Sequence, residues 1–104
     1  GARDVIIVHA LRLYAGPIQR LLAGHPYIHQ PYVAGAPDDR RGEAVHAFVV
    51  PRPGRTPDSI ALSALVRAEL GESSVPQSYT VVPQAPTAAS GKPDKKALLE
   101  LYPR

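Results

Sequence analysis

Twelve prolines and eight glycines are scattered through all 104 residues, and they cut the chain into short elements joined by many turns. A chain of this length forms one small domain, burying roughly 60–65% of its unfolded surface. Hydrophobic residues at 44% and charged residues at 20% are ordinary for a folded domain and argue against a disordered tail. There is no cysteine, so a disulfide scaffold, a thiolate metal site and a cysteine nucleophile are all excluded. No apolar run approaches the ~20 residues that span a bilayer, and no leader pattern opens the chain. It starts Gly1-Ala2-Arg3-Asp4 and has no Met, so the expectation is a cytoplasmic piece excised from a longer polypeptide.

Within that punctuation the elements can be placed. Val5-Ile6-Ile7-Val8 is a β-branched run that reads as a buried strand, with His9 to Leu13 as its turn and return. Pro17 suits the first turn of a helix carrying Ile18, Leu21 and Leu22 and ending at Gly24. Tyr27 to Ala36 reads as a strand interrupted by Pro31, residues 37–42 as a turn, and Val45 to Val50 as a second strand. Thr56 is the expected cap and Pro57 the first residue of the clearest helix, whose stripe is Leu62, Leu65, Val66 and Leu70. Tyr79 to Val82 is a short strand. Pro93 opens a last helix that turns Ala97, Leu98, Leu101 and Tyr102 inward. The fold class is therefore α+β: an N-terminal two-stranded ribbon, then a sheet of three strands (27–36, 43–51, 78–83), flanked by helices at 16–23, 57–70 and 93–102.

The functional classes narrow by chemistry. Twelve Lys plus Arg against nine Asp plus Glu give +3, but the cations are spread along the chain. None of the five Tyr or the single Phe alternates with them as a stacking platform would, so no nucleic-acid partner is expected. His25 and His29 lack a neighbouring carboxylate and are separated by Pro26, so no metal site is expected. No Gly-x-Ser-x-Gly elbow or phosphate-binding Gly-Lys-Ser/Thr loop occurs. One segment remains, Pro86-Thr87-Ala88-Ala89-Ser90-Gly91-Lys92-Pro93-Asp94-Lys95-Lys96. Its small residues deliver Lys92 just before a helix, which lets an ammonium reach out of the domain from an anchored base. On local features alone, an ordinary solvated lysine is the simpler reading.

The Pro86-x-x-x-x-Gly91-Lys92 run resembles the C-terminal lysine motif of the adenylate-forming superfamily, which includes acyl- and aryl-CoA ligases, fatty acyl-AMP ligases and peptide-synthetase adenylation domains. Gly35-Ala36-Pro37-Asp38 through Gly42-Glu43 is similar to that family's turn before a core strand. His25-Pro26, Val49 to Gly54 and Val75-Pro76 fit as well, so the likeness covers essentially the whole chain. It implies the mobile C-terminal subdomain of a ligase that joins a carboxylic acid to ATP with Mg²⁺ and passes the acyl group to coenzyme A or a carrier-protein phosphopantetheine. Lys92 would be catalytic, Gly91 beside it would be cofactor-binding, and Arg3 and Asp4 would form the hinge. His9, Ala10 and Leu11 would form the loop along which the thiol arm passes. ATP and Mg²⁺ would sit mainly on the chain's own N-terminal adenylation domain, and a carrier protein is a possible partner. There are departures too. The family keeps two glycines where His9 and Ala10 stand, an asparagine at Arg12, a proline at Ala15, and glutamates at Pro17 and Gln19. They leave an alternative open, a degenerate non-catalytic interaction module of a multi-enzyme assembly line.

Overall fold

The computed structural model describes residues 4–103. Strands β1 (Val5–Val8) and β2 (Leu11–Tyr14) lead into helix α1 (Ala15–Ala23). Strands β3 (Ile28–Asp38) and β4 (Gly42–Pro51) are followed by α2 (Ser59–Leu70), a single 3₁₀ turn at Glu72–Ser74, β5 (Ser78–Val81) and α3 (Lys95–Leu99). The element order is the one that the sequence implies. The ribbon and the three-stranded sheet are both present, and they join into one five-stranded sheet in the order β2-β1-β4-β3, with β5 also on β4. Only Val8↔Gly42 bridges β1 to β4, and the β4–β5 pairing is parallel because α2 carries the chain back across the sheet.

Strand β4 is the centre of the molecule. Every residue from Ala44 to Val50 is buried, because helices cover both faces of the sheet there. The two-residue period sends Val45, Ala47 and Val49 toward a core with Ile18, Leu22, Leu62 and Val66 of α1 and α2. Phe48 and Val50 face the other way and pack with Ala34, Val82 and Leu98. His46 shares that second face, stacked on Tyr102 at 4.0 Å between ring centroids, with Nδ1 2.7 Å from Ser78 Oγ.

Several expectations shift in detail. Asp58, not Thr56, caps α2, its carboxylate accepting from the Ile60 N–H at 3.0 Å, and Pro57 lies before the cap. Leu70 is 39% exposed, so the apolar stripe stops a turn early. Pro31 does not break β3; the register slips between Ile28 and Gln30 instead, and pairing continues through Pro37 to Asp38. Helix α3 spans only Lys95–Leu99, Leu101 is 52% exposed, and Pro93 bridges to Thr87 rather than opening the helix. The missing proline N–H is harmless outside the helix, where Asp94 is the cap.

Candidate functional site

The lysine segment is a closed hairpin rather than a slack run. The Asp94 N–H donates to the Pro86 carbonyl at 2.8 Å, the Ala88 N–H to the Lys92 carbonyl at 2.8 Å, and the Gly91 N–H to the Ala88 carbonyl at 2.9 Å. Gly91 sits at φ +86°, which a glycine adopts without penalty and which turns the chain so that Lys92 follows the tip. Asp94 Oδ1 accepts from the Ala97 N–H at 3.1 Å and starts α3. Lys92 is exposed, and no carboxylate among the described residues forms an ion pair with its ammonium. It overlooks a depression of about 400 Å³ lined by Asp4, Gln19, Tyr32, Pro93 and Lys95.

Of the expected hinge residues, Arg3 lies outside those described. Asp4 is held at 2.8 Å by Lys95 Nζ. Partial burial raises its carboxyl pKa, but neighbouring positive charge and hydrogen bonds, those of Lys95 foremost, together hold it below the usual carboxylate value. Sequence reading could not find this pair, because its members are 91 positions apart.

The expected thiol loop lies at the far end of β1, so about 13 Å of strand separates it from Asp4. His9 and Ala10 form the two-residue turn of the ribbon at φ +50° and +67°. Such a turn needs both residues left-handed, as in type I′ hairpins, and two side-chain-bearing residues are forced into it here. The His9 N–H donates to the Arg41 carbonyl at 2.7 Å, and Leu11 is 51% exposed. A cavity of about 320 Å³ opens beside the turn between Val8, His9, Arg41, Glu72 and Gln77.

The Gly35–Glu43 turn fastens this ribbon to the sheet. A Cβ on Gly35 would stand 2.7 Å from Ile6 Cγ2, so only glycine lets β1 lie there. Asp38 Oδ2 accepts from the Arg40 and Arg41 N–H groups at 3.1 and 2.9 Å, closing the turn. Slight burial raises the Asp38 pKa, but those N–H groups and the Arg41 charge together lower it. Glu43 Oε1 takes the Ile7 N–H at 2.8 Å. His25 is a turn residue, its Nδ1 accepting from the Tyr27 N–H at 3.1 Å. Among the described residues, no group of three His, Cys, Asp or Glu could hold a metal ion, and no helix is long and apolar enough to cross a membrane.

The fold is a small α+β domain with a glycine–lysine hairpin at one edge. A family model described as "AMP-binding enzyme C-terminal domain" matches residues 18–92, and the chain belongs to that family. Over 100 residues, 96% of the chain, it is 35% identical to a fatty acid–[acyl-carrier-protein] ligase, ScoC, of Streptomyces coeruleorubidus. Over 98 residues it is 37% identical to a long-chain-fatty-acid–CoA ligase of Bacillus subtilis, covering 94% of the chain. These alignments span only 19% and 18% of the two relatives. The amide bond synthetase McbA of Marinactinospora thermotolerans superposes with a TM-score of 0.88 at 41% identity, over 91% of this chain and 19% of that one.

Proposed function

We propose that this chain is the mobile C-terminal lid of a larger cytoplasmic ligase, and that Lys92 is its catalytic lysine. The observation that carries the reading is the exposed ammonium just after the tip of an internally bonded hairpin, with no ion-pair partner among the described residues. A lysine already paired within the domain would have to break that pair before meeting a substrate. Lys92 is a compact charge on a flexible stem. It would bridge the acid's carboxylate and the α-phosphate of ATP, stabilising the charge that develops as pyrophosphate leaves. The N-terminal adenylation domain would hold ATP, Mg²⁺ and the acid. Rotation at Arg3 and Asp4 would then swap the Lys92 hairpin for the His9–Leu11 loop, where the acyl group passes to a thiol of coenzyme A or a carrier protein.

The His9–Ala10 turn supports a second reading of the acceptor alone. Side chains at these left-handed positions narrow a passage that glycines would leave open. Transfer to free coenzyme A should then be slow, and a carrier-protein arm or an amine should be the better acceptor. The names of two relatives, an acyl-carrier-protein ligase and an amide bond synthetase, agree with that direction. The test is single-turnover kinetics of the full-length protein with coenzyme A, a pantetheinylated carrier or an amine as acceptor. Free coenzyme A consumed as fast as the adenylate forms would sink the second reading. Absence of acid-dependent ATP–pyrophosphate exchange would sink the first and leave a non-catalytic interaction module.

A further inference from the structure

We propose that Asp4 and Lys95 are a positioning pair that ties the expected pivot to the base of the Lys92 hairpin, so that both move as one unit. This rests on the reading of Lys92 above. Asp4 is a fixed post: its carbonyl accepts from the Ala15 N–H at 3.0 Å, and the next residue begins β1. Lys95 opens α3 three residues after Lys92, and its Nζ lies 2.8 Å from Asp4 Oδ2. Between them, the Asp94 N–H closes the hairpin on Pro86, and the Asp94 carboxylate caps the helix. Hairpin and helix start therefore form one hydrogen-bonded piece, and the Lys95 side chain joins that piece to residue 4. Helix α3 is a weak anchor by itself, with five residues and only Leu98 fully buried. Asp4, Lys92 and Lys95 all border the same depression, so movement of the hairpin base shifts the ammonium directly. The pairing also neutralises Lys95, so an anion drawn to this edge is not captured three residues from its target.

The experiment uses the full-length protein and reads acid-dependent ATP–pyrophosphate exchange beside thermal unfolding. Asp4→Asn and Lys95→Met should each lower kcat roughly ten-fold, with the KM for ATP within about two-fold, because misplacement of a charge used in the transition state reduces rate more than binding. The double variant should lose no more than the worse single one, and the exchanged pair Asp4→Lys with Lys95→Asp should recover most of the rate. Additive losses overturn the proposal, as does an exchanged pair that folds with unchanged Tm yet stays slow, or an effect confined to Tm. If Asp4→Asn does not fold, Lys95→Arg decides: it can still reach the carboxylate and should keep its rate within about two-fold, and a ten-fold loss overturns the pair. Lys92→Ala is measured alongside. If it leaves exchange intact, the lysine reading and the pair fail together. If it abolishes exchange while the pair variants match wild type, only the pair fails.

Discussion

The two loops at opposite ends of β1 solve the same backbone problem differently. The lysine hairpin places glycine at its left-handed position, Gly91 at φ +86°, and a Cβ there would meet nothing within 4 Å. The ribbon turn places His9 and Ala10 at φ +50° and +67°. Each of those costs about 1 kcal/mol or more relative to an ordinary conformation. A strained turn persists only where its surroundings over-determine it, and here the Arg41 carbonyl on the His9 N–H and the Glu43 carboxylate on the Ile7 N–H do so. The lysine loop is thus relaxed and fits the likeness drawn from the sequence, whereas the ribbon turn is strained and departs from that likeness. Changes in function between this chain and its relatives should concentrate at the turn.

The largest expected effect tests the conforming loop. Lys92→Ala in the full-length protein should lower acid-dependent ATP–pyrophosphate exchange by about 10²–10³-fold, the range for removing one electrostatic contact to a transition state. ATP affinity, measured by equilibrium binding, should change far less. A loss expressed mainly in ATP binding would instead make Lys92 a ground-state contact. Next in size is Gly35→Ala at the base of the ribbon. Its Cβ would meet Ile6 Cγ2 at 2.7 Å, and overpacking of this kind costs roughly 1–3 kcal/mol. Chemical denaturation should show the loss, and Ile6→Val in the same protein should not relieve it, because valine retains a branch at Cβ.

The strained turn gives the third test. His9→Gly and Ala10→Gly remove the left-handed penalty but add freedom to the unfolded chain, so each should stabilise by only about 0.5 kcal/mol. In single-turnover measurements the same changes should speed transfer to coenzyme A and leave adenylate formation alone. Faster transfer without added stability would mean that the side chains block the passage but carry no backbone strain.

What could be read from the sequence divides along the same line. Local signals place all eight main elements in order, since β-branched runs and Pro57 act within a few residues. Lys92 stands out for the same reason, as a lysine after a run of small residues and before a helix. The fastening of ribbon to sheet could not be derived locally, because Glu43 reaches Ile7 across 36 positions and Lys95 reaches Asp4 across 91. The Gly35–Glu43 turn was visible only as a likeness. Its reasons, a close approach at Gly35 and a carboxylate on a strand N–H, are tertiary contacts. The sequence extends α3 past its observed end because Leu101 and Tyr102 continue an apolar pattern, although only Tyr102 finds a partner, in His46.

That stack supplies the smallest effect, and it tests whether the second face of the sheet is indifferent to the chemistry assigned to both loops. Burial of His46, 6% exposed, lowers its pKa below 6.5, and the Asp38 charge only partly opposes this. In the unfolded chain the imidazole keeps its ordinary value and binds the proton more readily. Between the lowered pKa and 6.5 the unfolded state therefore holds more protons, and stability rises with pH through that window. Above 6.5 the contribution of neutral His46 is fully present, and it is lost as pH falls through the window. His46→Gln should flatten this part of a stability–pH profile. The other three histidines occur in both proteins, so the difference between the two profiles isolates His46. Parallel profiles would mean that the ring accepts its proton in place, with Tyr102 stacking on the cation. Adenylate formation should follow neither curve, because His46 is buried on β4 with Tyr102 and Ser78 as its ring and hydrogen-bond partners, and neither belongs to the lysine hairpin or the ribbon turn.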